Sequence, residues 1–205
     1  EALAGLGVEG LEGPRLVLFD GRYEPALSSL KGLPDGVTAG SLATACRERV
    51  DLVRPQLDRV AIGSKHPFLA LNTAFLTDGV FLHVPEGVVV SSPVQILVLT
   101  TAGGQSSVTH PRVLVVAEEQ AQVTVLERYN ALGSGCYFSN AVSEVFVGQA
   151  AVVEHIRLQQ EDRAAFHLGA LCVAQERDSR YTSNVIALGG RLTRNDLHLL
   201  LEGEG

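Results

Sequence analysis

From residue 80 onward, apolar positions recur in short runs separated by three-residue polar or glycine-bearing turns. Ala121, Val123 and Val125 share one strand phase and Gln122 and Thr124 the other, the period-2 signature of a strand with one buried face. Val113 to Val116 are apolar in both phases, which predicts one face in a core and the other covered. The turns repeat. Val84-Pro-Glu-Gly-Val-Val-Val90, Ala117-Glu-Glu-Gln-Ala-Gln-Val123 and Val147-Gly-Gln-Ala-Ala-Val-Val153 share one template, and Arg177-Asp-Ser-Arg-Tyr-Thr-Ser183 fits it more loosely. Their starts are 33, 30 and 30 residues apart, a period that signals stacked units. Strand formers on both sides of each turn exclude a helical repeat. An antiparallel sandwich would call for tight hairpin turns such as Asn-Gly, and none is present. The pattern predicts a mainly β protein: a right-handed parallel β-helix in which each coil buries its apolar face against its neighbours.

Before Gly79 the period differs. Residues 1–14 show none, and Leu16 to Phe19 read as one short strand stopped by Asp20-Gly21. A turn-rich stretch with Pro25, Pro34 and Asp35-Gly36 follows. Ser41 is an N-cap candidate for a helix with apolar positions Leu42, Cys46, Val50 and Val53. Pro55 is expected to kink or end it, with Leu57 and Val60 continuing the stripe. A second helix is predicted from Pro67 through Leu71, Ala74 and Phe75, stopped at Asp78-Gly79. The expected organisation is therefore an N-terminal segment, 1–79, with a short strand and two helices, and a β-helix core, 80–205.

Composition supports the β assignment. Of 26 valines, 20 lie between Val80 and Val185, and stiff β-branched side chains favour pleated surfaces. A net charge of −7 argues against a general grip on nucleic-acid phosphates. Three cysteines without a CxxC pair exclude a disulfide scaffold and fit a reducing compartment. No apolar run reaches membrane-spanning length and no signal-peptide pattern is visible, so a soluble, intracellular protein is expected.

Chemistry-bearing motifs are sparse. Gly5-Leu-Gly-Val-Glu-Gly10 matches GxGxxG, but only four residues precede it and Gly13-Pro14 follows. A dinucleotide site needs a strand before and a helix after, so the match is rejected. His66, His83, His110, His155, His167 and His198 show no short metal-ligand spacing. Stacked coils could bring Cys136, His155 and His167 together on a metal, but hydrogen-bonded or partly exposed histidines are the simpler expectation. Cys136 follows Gly133-Ser134-Gly135, read as a flexible loop with neither a base nor the strand–turn–helix of a nucleophile elbow. Glu118-Glu119, Glu161-Asp162, Arg177, Asp178 and Arg180 fall at predicted turns and read as solvated charge. No catalytic, cofactor-binding or metal residue is assigned, and neither turnover nor a bound metal is expected.

The ordered series His66-Pro-Phe-Leu-Ala-Leu-Asn-Thr-Ala-Phe75, Asp78-Gly-Val-Phe-Leu-His-Val-Pro-Glu-Gly-Val88, Tyr137-Phe-Ser-Asn-Ala-Val-Ser-Glu144, Val153-Glu-His-Ile-Arg-Leu-Gln159, Leu188-Gly-Gly-Arg-Leu-Thr-Arg-Asn-Asp196 and Leu201-Glu-Gly-Glu-Gly205 resembles the SufB/SufD family of iron–sulfur cluster assembly proteins. Asn72-Thr-Ala-Phe75 and Leu27-Ser-Ser-Leu-Lys-Gly-Leu-Pro-Asp-Gly36 make it most similar to SufD. The resemblance covers about residues 15–205 and implies a parallel β-helix. It implies a non-catalytic, cytoplasmic scaffold subunit that supports cluster assembly and iron acquisition. Its implied partners are a SufB-like scaffold and a SufC-like ATPase, with a homodimer as a further association; neither nucleic acid nor membrane is among them. The iron–sulfur cluster, and reduced flavin, belong to the complex and not to this chain. The family's further coils, interface histidine and SufC dock are expected beyond Gly205, so no family functional residue is carried onto a position here. The competing reading is a β-helix enzyme acting on polysaccharide, which needs carboxylates recurring at one phase. Glu127, Arg157 and Ala187, 30 residues apart, do not supply them.

Overall fold

A computed structural model describes residues 12–61, 66–103 and 107–203. Thirteen strands occur among them: β1 (Arg15–Phe19), β2 (Arg22–Tyr23), β3 (Thr38–Ser41), β4 (Val80–Val84), β5 (Val94–Thr101), β6 (Ser107–Thr109), β7 (Arg112–Ala117), β8 (Gln122–Leu132), β9 (Tyr137–Val147), β10 (Val152–Gln160), β11 (Phe166–Gln175), β12 (Arg180–Ala187) and β13 (Leu192–Leu201). Helices α1 (Leu42–Glu48), α2 (Val50–Val53) and α3 (Pro67–Ala74) lie between β3 and β4. One sheet runs β12-β10-β8-β5-β1-β2, the other β13-β11-β9-β7-β4-β3, with β6 beside β9. From β4 to β13 the chain alternates between the two sheets, with β6 and β7 as successive segments beside β9 in one of them, and the strands pair in parallel with their counterparts in adjacent coils. This is the parallel β-solenoid that the repeat predicts. Among the described residues antiparallel pairing joins β1 with β2 and β3 with β4, and an isolated bridge joins Arg15 with Ser29.

The turns are where the repeat is physically enforced. Gly87, Gln120, Ala150 and Asp178 each adopt a left-handed backbone, with φ of 69°, 57°, 55° and 60°. These turns stack, since Gly87 N–H donates to Glu119 O at 2.9 Å, Gln120 N–H to Gln149 O at 2.9 Å, and Ala150 N–H to Arg177 O at 3.0 Å. The last unit is two residues shorter than the sequence template. Val147 pairs with Gln175, and Arg157 with Val185, so Val185 and not Ala187 stacks on Glu127 and Arg157.

The lumen core gathers Val80, Leu82, Val94, Ile96, Val113, Val115, Val123, Val125, Val145 and Val153. The opposite phase of β7 is also buried, with Leu114 and Val116 packed under Leu42, Ala45 and Val53 of the helical segment. That covering explains why Val113 to Val116 are apolar in both phases. Ser41 caps α1 as predicted, its Oγ accepting from Thr44 N–H at 3.1 Å. Asp78 locks this entry: its Oδ1 accepts from Ser41 Oγ (2.8 Å), Ala43 N–H (3.0 Å) and Gly79 N–H (2.8 Å), and its Oδ2 from Tyr23 N–H (3.1 Å). The predicted first helix is broken earlier than Pro55. Arg49, at φ −129° and ψ 47°, separates α1 from α2. α2 ends at Val53, although Arg54 before Pro55 keeps a helical φ of −58° and ψ of −38°, and the chain goes on turning past the proline, with Leu57 N–H donating to Val53 O at 2.9 Å. α3 begins with Pro67 at its first position. The turn-rich stretch after β1 contains β2 and β3, and β1 itself enters the sheet beside β5. Among the described residues no helix is long and apolar enough to cross a membrane.

Candidate functional site

Moving along the strands away from the stacked turns, the lumen changes from apolar to polar. On β8 the inward phase passes from Val123 and Val125 to Glu127 and Tyr129; on β10 it passes from Val153 to His155, Arg157 and Gln159. Glu127 is completely buried. Its Oε1 accepts from Ser143 Oγ at 2.8 Å and its Oε2 from Tyr129 Oη at 2.8 Å. His155 Nε2 and Arg157 Nε approach the same carboxylate at 3.0 and 3.1 Å. Neither meets hydrogen-bond geometry, so these two are charge contacts. Arg157 Nη2 also donates to Tyr129 Oη at 3.1 Å, and its guanidinium lies 5.3 Å from the Tyr129 ring centre. Tyr181 Oη, on the terminal strand β12, meets His155 Nδ1 at 2.9 Å.

A second buried carboxylate lies just beyond β10. Glu161 Oε2 is 2.7 Å from His167 Nδ1 and accepts from Gln159 Nε2 at 3.0 Å, while Oε1 accepts from Ser139 Oγ at 2.8 Å. The ring centres of Tyr129 and His167 are 4.9 Å apart, edge to face, so the two clusters touch. Gly169 makes room for them: a Cβ there would stand 2.7 Å from Asn195 Oδ1 and 2.9 Å from His167 Nε2.

Burial tends to raise the pKa of Glu127, but the charges of His155 and Arg157, with hydrogen bonds, outweigh it and hold the carboxyl far below its usual range. Glu161 is likewise held low: burial opposes, and the His167, Ser139 and Gln159 contacts prevail. Burial pushes the Tyr129 and Tyr181 hydroxyls up, so both are neutral donors or acceptors. Every carboxylate oxygen in the lumen therefore has a partner. The arrangement stores charge and fixes rung-to-rung register; it presents no free nucleophile, and a polymer has no access to either carboxylate.

Outside the lumen, a second ionic cluster fastens the helical segment to β9. Buried Arg112 contacts Glu144, reaches Asp58 Oδ1 at 2.6 Å and donates to Asn72 Oδ1 at 3.0 Å. Glu144 accepts from Asp58 N–H (3.2 Å) and Ala61 N–H (3.3 Å).

The structure thus corrects the reading of Glu161, which is 6% exposed and not a solvated turn charge. Arg177 and Asp178 do form an exposed pair, 3.4 Å apart. His83 pairs with Glu118 at 2.9 Å, and His110 stacks on Phe75 with ring centres 5.3 Å apart. Cys136 is exposed whereas His155 and His167 are buried, each against its own carboxylate. Among the described residues no three His, Cys, Asp or Glu side chains gather as a metal site. The loop before Cys136 is not simply flexible: Gly133, at φ 94°, packs so closely on the Ala102 carbonyl that no Cβ fits. Gly5 to Gly10 lie outside the described residues. In the sequence, period 2 puts His155 on the face of Val153, and extending that phase through residues 157, 159 and 161 is the signal for the buried cluster.

The terminal coil is the other distinctive feature. β12 and β13 end their sheets, each paired on one side only. Leu197 and Leu199 continue the inward stripe of their neighbours Leu171 and Val173, yet are 52% and 53% exposed where those neighbours are 2% and 0%.

Comparison with known proteins adds the biological context. Residues 98–205 match the family model described as the SUF system FeS cluster assembly, SufBD core domain, and residues 6–96 match the SufBD protein N-terminal region. An iron–sulfur cluster assembly SufBD family protein of Synechocystis sp. is 33% identical over 198 residues, covering 93% of this chain and 44% of the relative. The cluster assembly protein SufD of Bacillus subtilis is 34% identical over 123 residues, 58% of this chain and 28% of that protein. SufD of Escherichia coli is 25% identical over 210 residues, 95% and 44% respectively. The chain spans less than half the length of these relatives.

Proposed function

The chain belongs to the SufBD family, and from that premise we propose that it serves as a SufD-like, non-catalytic scaffold subunit in iron–sulfur cluster assembly, supporting cluster construction and iron acquisition. Its partners in this reading are a SufB-like scaffold and a SufC-like ATPase. The single observation that carries the reading is the parallel β-solenoid, whose strands β6 to β13 lie in the part of the chain that matches the SufBD core domain. The lumen supports the non-catalytic part, because Glu127 and Glu161 are consumed by internal partners. The cluster is the cargo of the assembly, and no residue of this chain is assigned to it or to a flavin.

Co-expression with a SufB relative and a SufC ATPase, followed by affinity capture and transfer of a cluster to an apoprotein, tests the proposal. The expected outcome is a ternary complex whose cluster formation needs this chain. Copurification with neither partner, or cluster formation undiminished without the chain, would overturn it. Polysaccharide cleavage by the isolated chain would replace it with the enzymatic alternative.

A further inference from the structure

His66 and His198 lie 132 positions apart in the chain, yet their ring centres are 4.3 Å apart and tilted by 52°. Both are held by rigid backbone. His66 immediately precedes α3, its carbonyl accepting from Leu69 N–H at 3.0 Å and Ala70 N–H at 3.1 Å. His198 sits in the β13 ladder opposite Cys172. The two rings face a crevice of about 240 Å³ bounded by Phe68, Asn140, Leu168, Ala170, Arg194 and Asp196. Among the described residues neither imidazole makes a hydrogen bond within the protein. By contrast, His83, His110, His155 and His167 each have a partner. Neither ring is therefore tied up by an internal partner, and both face the crevice.

We infer that His66 and His198 together bind a divalent transition-metal ion of the zinc type, with solvent in the remaining coordination positions. Imidazole nitrogen is a preferred donor for such ions. The two rings lie close enough to serve one ion, and the crevice beside them leaves room for bound solvent. The charged groups facing the pair are Arg194 and Asp196, which largely satisfy each other at 2.9 Å. Cys172, beside His198 in the ladder, is buried in an apolar cluster with Leu69 and Val142. The site is therefore a two-histidine site, in keeping with the absence of any three-ligand cluster among the described residues. It joins the start of α3 to the terminal strand, and it does not depend on the assembly role proposed above.

Calorimetric titration of the 205-residue chain with Zn²⁺ at neutral pH, repeated with Co²⁺ to read the ligand field by absorption, tests the inference. One ion per chain is expected. His66→Ala and His198→Ala should each weaken binding at least as much as loss of an outer-shell partner, roughly 10–100-fold. Cys46→Ser and Cys136→Ser should leave it unchanged. No binding, or equal binding by the histidine variants, overturns the site. Should a histidine variant fail to fold, imidazole NMR signals of the unaltered chain decide the matter. Zn²⁺ must shift His66 and His198, and selective shifts of other histidines would refute the assignment.

Discussion

Replacing the Glu127 carboxylate by an amide would leave Arg157 buried without its counter-charge, and that asymmetry sets the expected cost. Breaking one side of a buried ion pair costs about 3–5 kcal/mol, so Glu127→Gln should lower stability in denaturant titration by that order while leaving the unfolding slope unchanged. A loss below about 1 kcal/mol would mean that the lumen charges are solvated. The pH dependence follows from direction alone. Glu127 and Glu161 both have folded pKa values held below their ordinary value. Their contribution is therefore present above the ordinary carboxylate range, and it is lost as pH falls through the depressed folded values. The chain should lose stability progressively below about pH 4.5, and Glu127→Gln should show a shallower decline there; an equally steep decline would assign acid unfolding elsewhere. Thiol reactivity separates just as clearly. Cys172 is buried with its pKa near 12, whereas Cys46 and Cys136 are exposed. At pH 8, iodoacetamide should modify Cys46 and Cys136 in the folded chain and reach Cys172 only after denaturation. Early modification of Cys172 would contradict the packing of α3 on β9 and β11.

Among the elements, those written in local chemistry were readable and those set by distant partners were not. Ser41 at a helix entry and Pro67 at a first helical position each state their role within a few residues. The stacked turns were readable because they recur. The break at Arg49 carries no proline or glycine, and β2 and β3 are too short and polar to show a period. The two-residue shortening of the last unit hid behind a plausible 30-residue template. The polar lumen was half legible: period 2 placed His155 inward, but Gln159-Gln160-Glu161-Asp162 reads locally as a turn, and only the neighbouring coil buries Glu161. Asp78 shows how one residue can couple elements, since it accepts from β2, the β3–α1 junction and Gly79 at the entry to β4. Asp78→Ala removes a charged acceptor serving several donors and should cost about 2–4 kcal/mol, with loss of helical signal in the far ultraviolet before loss of strand signal. Simultaneous, unshifted melting of both would argue against that coupling. At the turn of the third unit, Ala150 holds a left-handed backbone that glycine adopts freely. Ala150→Gly should raise stability by about 0.5–1 kcal/mol, and a destabilised variant would show that the methyl group has a packing role there.

At the scale of the whole molecule, a solenoid is stable coil by coil but never finished by its own repeat. Each coil contacts its neighbours alone, so coils flanked on both sides are satisfied, while β12 and β13, flanked on one side among the described residues, are half covered. The contrast is visible along one stripe, where Leu171 and Val173 are almost fully buried and their counterparts Leu197 and Leu199 in β13 are half exposed. The β12 side repeats it, with Val185 at 45% exposure beside buried Arg157. Two open edges of 8 and 10 residues lie together with this apolar surface. Edge strands of that length pair readily with other strands. The 205-residue chain is therefore expected to self-associate through β12 and β13 whenever no other segment or partner occupies them. Leu199→Lys places a charge on the stripe without touching the interior coils, so it should suppress association while leaving the unfolding transition nearly unchanged. Sedimentation velocity over a concentration series up to about 100 μM, a range that detects affinities near −6 to −8 kcal/mol, reads the difference. A monomer throughout that range would show that the exposed stripe is insufficient to drive pairing. Association undiminished by the lysine would place the contact on another face.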